Sequence, residues 1–245
     1  MPLTDALTPD ALLEAKAARP DRRARDLATS LGVSEGALVA AAVGRGATRL
    51  DPHPNDLMPA VATLGEVMAL TRNDSAVHER IGTYQEYHPG DHATMVLGPE
   101  IDLRMFPKHW AHAFAVVEEG ESGVKRSLQV FDAAGDAVHK VHLKPASDVA
   151  AFERLVADLA TGDESRDFAA EPRTPPEGAK LREDKMDLLR REWDRMADTH
   201  QFLRLVSKLK MNRLGAYRGA GAPYAEPLAP EAVSAMVVGA PAPRE

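Results

Sequence analysis

The residue type best placed to do chemistry is His200, in the stretch Glu192-Trp193-Asp194-Arg195-Met196-Ala197-Asp198-Thr199-His200-Gln201-Phe202-Leu203. At helical spacing Met186, Leu189, Trp193, Met196, His200 and Leu203 share one face, while Arg190, Arg191, Glu192, Asp194, Arg195 and Asp198 lie off it. A neutral imidazole in apolar surroundings can ligate iron or zinc, and haem iron is commonly held by a single proximal histidine. The same pattern fits a core histidine bonded to a neighbouring carbonyl. Beyond it come Arg204, Lys208, Lys210, Arg213 and Arg218 with no acid among them, a local place for an anion.

Other reactive residues are scattered. Arg104 alternates with Asp102 and Phe106 on one strand face, opposite Ile101, Leu103 and Met105, and reads either as a solvated arginine or as an anion contact. His78 beside Glu79 is a secondary ligand or a surface histidine, and neither His88 with His92 nor His109 with His112 completes a metal-ligand set. The absence of cysteine excludes disulfides, thiolate metal sites and cysteine nucleophiles. There is no phosphate-binding loop, dinucleotide fingerprint or nucleophile elbow, so nucleotide and hydrolase chemistry lack support.

The elements that must position these residues follow from periodicity. Thr8-Pro9-Asp10 opens a helix to about Arg19, and Arg22 to Leu31 forms a second that closes at Gly32. Ser34 caps a third from Glu35 to Val43. Helix, glycine turn, helix is also the outline of a DNA-binding helix-turn-helix, but the second helix offers no Arg, Lys, Asn or Gln to base edges. A short helix over Asp56 to Leu64 is followed by alternation from Glu66 to Lys144, which predicts an antiparallel meander. Its strands are expected over 66–71, 76–87, 93–97, 101–106, 110–117, 125–131 and 137–143. Val149 to Leu159 is amphipathic and should cover one sheet face.

The expected division is therefore residues 1–160 with the sheet, a Pro- and Glu-rich linker over 161–179, and a helical segment over 180–238. That segment carries His200 on one long helix ending near Lys210, and residues 239–245 read as a disordered tail. The formal net charge of −7 gives no general attraction for nucleic acid or an anionic membrane. With no spanning apolar run and no leader-like N-terminus, the cytoplasm is the default location.

Several stretches together resemble the haem-utilisation proteins called haemin-degrading factors, of the HemS/ChuS type. They are Arg72-Asn73 with Ala76-Val77-His78-Glu79, Asp102-Leu103-Arg104-Met105-Phe106 with Trp110, and Phe131-Asp132 with Gly135-Asp136-Ala137. The last is Glu192-Trp193 through Asp198-Thr199-His200-Gln201-Phe202. The order is kept over about residues 10 to 237. The resemblance implies an α+β fold, a large antiparallel sheet with N-terminal and C-terminal helices packed on it, one half of a two-repeat architecture. It implies haem as the ligand, His200 as the iron ligand, and Arg104 and Arg213 lining the pocket or meeting propionates, with Phe106 beside them. It also implies exchange with a haem importer or a haem oxygenase, and an external electron donor if the ring is opened. No internal repeat marks a second half within the 245 residues, so one wall of the family's pocket is expected to be missing.

Overall fold

The computed structural model describes residues 7–73, 76–120, 123–199 and 201–239. His200, Asp74, Ser75, Glu121, Ser122 and the expected tail from residue 240 lie outside the described residues. The chain divides into two compact units, Met1–Arg173 and Thr174–Glu245.

The first unit opens with α1 (Pro9–Ala17), α2 (Ala24–Leu31) and α3 (Glu35–Ala40). Thr8 and Ser34 cap the first and third of these, each accepting a backbone N–H, and Gly32 ends α2 at φ 70°. Next come β1 (Ala47–Leu50) and α4 (Pro54–Ala62), then β2 (Val67–Arg72), β3 (Val77–Gly82), β4 (Tyr87–His88), β5 (Thr94–Leu97) and β6 (Asp102–Met105). The unit is completed by β7 (His112–Gly120), β8 (Gly123–Phe131), β9 (Ala137–Leu143) and α5 (Val149–Leu159).

Six strands pair antiparallel in the order β1-β7-β8-β9-β2-β3, and β4-β5-β6 form a separate small sheet. The expected single strand over 76–87 is thus two strands in two sheets. Gly82 ends the first where an added Cβ would lie 2.6 Å from Glu100 Cβ, and Glu86, at φ 45°, turns the chain into the second. β1 was not expected at all, because its pairing with β7 joins Ala47 to Val116 and leaves no local signature.

The large sheet is covered on both faces. On one, Val67, Ala69, Leu128, Val130 and Val141 pack with Met58 and Val61 of α4, Phe152 and Leu155 of α5, and Val96 and Met105 of the small sheet. On the other, Phe114, Val116 and Phe131 pack with Val39, Ala40 and Val43 under the N-terminal helices. Double coverage explains why Ser127 to Phe131 are buried without interruption instead of alternating. Phe114, Phe131 and Phe152 are fully buried, each stabilising by roughly 2–3 kcal/mol through removal of apolar surface from water.

The first half of the expected linker is docked. Arg49 of edge strand β1 donates to the carbonyls of Ser165 and Asp167 at 2.9 and 2.7 Å, and Phe168 packs on the helical-side core. This segment covers the sheet edge, while the opposite edge, β3, is exposed and carries His78, Glu79 and Arg80.

The second unit contains α6 (Met186–Asp194), α7 (Gln201–Lys208), α8 (Arg213–Ala220) and α9 (Pro230–Gly239). Its core is Leu189, Phe202, Val206, Leu209, Met211, Ala216 and Ala220. The expected continuous helix across 186–203 is broken after Asp194. Asp198 and Thr199 carbonyls accept from the amides of Gln201 and Phe202, and the Gln201 side chain accepts from Ala197 N at 3.2 Å. Short polar side chains that favour turns and caps start a new helix there. The break also ends the expected apolar stripe, since Phe202 and Val206 are the buried residues of α7 and Leu203 is 55% exposed.

Candidate functional site

Of the residues singled out in the sequence, Arg104 and Phe106 are brought together in the first unit, Arg213 belongs to the second, and His200 lies outside the described residues. The pairing of β6 with β5 sets Arg104 opposite Met95, and alternation turns Asp102 and Arg104 outward while Met105 is buried. Phe106 then caps a single tight turn, Pro107–His109, whose proline fixes the bend. The Phe106 ring stands 45% exposed beside the Arg104 guanidinium, whose Cζ is 5.9 Å from the ring centroid. Met95 and Leu97 on the neighbouring strand are exposed too, so a cation stands on a partly apolar shelf.

Behind that shelf is a cavity of about 140 Å³ lined by Leu103, Arg104, Phe106, His109, Trp110 and His139, among others. His139 is fully enclosed at its floor. Thr71 Oγ1 lies 2.9 Å from His139 Nδ1, Tyr84 Oη lies 2.6 Å from His139 Nε2, and the Trp110 indole stacks on the imidazole at 6.2 Å. Burial pushes the His139 pKa down to about 4, with His142 adding a smaller push in the same direction, and burial pushes the Tyr84 hydroxyl up. The ring is therefore neutral at neutral pH, able to give a hydrogen bond at one nitrogen and take one at the other. Sequence reading missed this group. The available signal was parity: in β9 the alternation places His139 with Val141 toward one core and Lys140 with His142 toward the other side.

In the second unit Trp193 sits among Phe202, Tyr217 and Tyr224 at centroid distances of 4.5, 6.0 and 5.5 Å. Arg190 ties α6 to the end of α8, its Nε and Nη2 donating to Ala220 O at 3.1 and 2.9 Å. Asn212 caps α8 by accepting from Gly215 N at 2.8 Å, which puts Arg213 on the first turn, exposed and with no ion pair among the described residues. A cation at the positive end of a helix is unfavourable by itself, and an anion placed there relieves both charges. A cavity of about 320 Å³ between α6 and α7 is lined by Leu188, Met196 and Leu205 together with Arg195, Arg204 and Lys208.

Among the described residues no three His, Asp or Glu side chains are grouped to hold a metal ion, and His78 is exposed on β3. Nor does the N-terminal helical pair present a reading helix to DNA. Glu35, Gly36, Leu38, Val39 and Ala40 of α3 are buried against the sheet and the neighbouring helices, and a helix covered on those positions cannot enter a major groove. No described helix is long and apolar enough to cross a membrane.

Residues 32–159 match the family model described as the haemin-degrading HemS.ChuX domain. The chain is 40% identical over 210 residues to the hemin transport protein HmuS of Yersinia pestis, an alignment that spans 85% of this chain and 60% of the relative. Its fold is similar to that of holo-PhuS, a heme-binding protein from Pseudomonas aeruginosa, with TM-score 0.79, 44% identity and coverage of 90% of this chain and 64% of that one. It is also similar to ChuS, an E. coli heme oxygenase, with TM-score 0.70, 32% identity and coverage of 86% and 61%. The chain thus spans about 60% of the length of the curated relatives it matches.

Proposed function

The chain belongs to the haemin-degrading HemS.ChuX family, and from that premise we propose that it binds haem through an axial bond from His200. Arg104 and Arg213 meet propionates, and Phe106 lies against the macrocycle. The protein acts in the cytoplasm in haem-iron utilisation, taking haem after import and either passing it to a partner such as a haem oxygenase or opening the ring to release iron. Haem supplies an iron that can react with oxygen once an external donor reduces it. What this chain contributes is binding and orientation.

The observation that carries the reading is the exposed pairing of Arg104 with Phe106 at 5.9 Å, inside the family-matched region. A flat macrocycle with two carboxylates needs an apolar surface bordered by cations, and an arginine fork can pair with a carboxylate through two hydrogen bonds. Arg213 supports it independently, because the start of α8 concentrates positive potential at an exposed guanidinium with no ion pair among the described residues. The neutral His139 under the shelf keeps a second charge away from the apolar wall.

A Soret titration with haemin, wild type beside His200→Ala with folding checked by circular dichroism, tests the reading. One-to-one saturation with a histidine-type spectrum is expected, and His200→Ala should abolish that spectrum. Equal, unsaturable binding by both proteins would sink it. Turnover is then separated from carriage by adding reductant and oxygen with catalase present and following the loss of the Soret band and the formation of an open-chain product.

A further inference from the structure

A second cavity, of about 220 Å³, lies on the other side of the large sheet, under the N-terminal helices. β2, β8 and β9 contribute Arg72, Gln129, Lys140 and His142, and the helical layer contributes Lys16, Arg23, Arg25 and Glu35. Its charges do not balance. Leaving aside Arg25, which is engaged, the lining cations are Lys16, Arg23, Arg72 and Lys140, against the carboxylates Glu35 and Glu118. Both carboxylates are already engaged, Glu35 with Lys140 at 2.5 Å and Glu118 with Lys16 at 2.5 Å, and Arg25 donates to Asn73 O. Arg23 and Arg72 have no carboxylate partner among the described residues, in a chain whose net charge is −7.

Two buried atoms in this lining also lack hydrogen-bond partners. Gln129 is 8% exposed, its Nε2 donates to Ser127 Oγ at 3.0 Å, and its Oε1 accepts nothing. The Nε of Arg72 is buried and finds no acceptor among the described residues. Leaving such groups unpaired costs free energy, so an occupant that satisfies them is favoured. It must accept from an arginine and donate to an amide oxygen. A single water can do both but leaves the cationic excess in place, and the cavity exceeds the roughly 30 Å³ share of one water several times over.

We infer that this cavity is a binding site for a small oxyanion that also carries a hydroxyl, of the hydrogen-phosphate or hydroxy-carboxylate class. Its charged oxygens accept from Arg72 and from Arg23 at the rim, and its hydroxyl donates to Gln129 Oε1. His142 in the same wall is held below its usual range, first by burial and then by the charge of Lys140, so the cationic wall is built from groups that stay charged at neutral pH. The site is separate from the Arg104 shelf and does not depend on haem.

Thermal unfolding of the full chain is followed while inorganic phosphate, malate or sulfate replaces sodium chloride at constant ionic strength. Phosphate or malate should raise the midpoint saturably, and whichever saturates at lower concentration gives the class. Sulfate, which carries no proton at neutral pH, should bind at least about tenfold more weakly. Arg72→Gln should weaken the effect by about tenfold or more, and Arg23→Gln, at an exposed rim position whose side chain makes no capping hydrogen bond, should weaken it measurably. Haemin titration of Arg23→Gln should match wild type. No saturable effect beyond chloride, a response in both variants equal to that of wild type, or equal binding of sulfate and phosphate overturns the assignment.

Discussion

Tyr84 Oη lies 2.6 Å from Nε2 of His139, beneath the cavity that Arg104 and Phe106 border, and both residues are buried. The pair joins the loop that leads from the large sheet into the small one to β9 of the large sheet. It thus fixes the small sheet, and the shelf it carries, against the large one.

The burial of His139, with a smaller push from His142, makes stability depend on acid. The folded-state pKa of His139 is pushed down to about 4 from the usual 6.5, so between those values the unfolded chain holds a proton that the folded chain does not. Stability from this group is complete above about pH 6.5 and is lost as pH falls toward 4, by an amount on the order of 3 kcal/mol. Urea titrations at stepped pH, wild type beside His139→Asn, should show the wild type losing more stability on acidification. Parallel curves would refute the linkage. Tyr84→Phe should cost about 1–3 kcal/mol at neutral pH by leaving a ring nitrogen unpaired.

The ion pair of Lys140 with Glu35 crosses from β9 to α3, with side chains only 11% and 7% exposed. Removing one partner leaves a buried charge, so Lys140→Met alone should destabilise by about 3–5 kcal/mol. Lys140→Met combined with Glu35→Leu removes both charges and should recover most of that loss. A double variant as unstable as the sum of the single ones, by chemical denaturation, would show that the pair is not coupled.

How much of this was legible in the sequence depended on how local each cause is. Caps, the Gly32 turn and the β7-β8-β9 meander follow from residues near one another in the chain, and those elements stand close to where periodicity placed them. β1 has only Ala47-Thr48-Arg49-Leu50 and acquires its meaning from a distant partner, and the split at Gly82 is set by Glu100 approaching from another strand. Helical spacing carried the reading through Met196 although Asp198 and Thr199 signal a restart. Of the proposed site residues, Arg104 stood out on a short alternating strand, with Phe106 just past its end. His139 was hidden because nothing nearby says which sheet face carries the cavity.

Gly215 is where α8 crosses the entering chain, and an added Cβ would lie 1.8 Å from Lys180 O and 2.3 Å from its carbonyl carbon. Backbone cannot yield as a flexible side chain can, so Gly215→Ala should destabilise the second unit by at least about 2 kcal/mol. Trp193, packed 4.5 Å from Phe202, reports that unit once Trp110 is replaced by Phe. An unchanged Trp193 unfolding midpoint would contradict this packing.

The proposed roles of Arg104 and Arg213 predict a separation between affinity and spectrum. Each guanidinium is exposed, so solvent screens its pairing with a propionate and each contributes modestly. Arg104→Ala and Arg213→Ala should each weaken haemin binding by about three- to thirtyfold, as expected for a charge-assisted hydrogen bond at a wet site. Neither touches the iron, so the axial signature in the Soret and visible bands should stay that of wild type. An altered axial spectrum in either variant would mean that the residue acts on the metal. Unchanged affinity in both would remove the propionate contacts from the proposal while leaving His200 to be judged on its own titration.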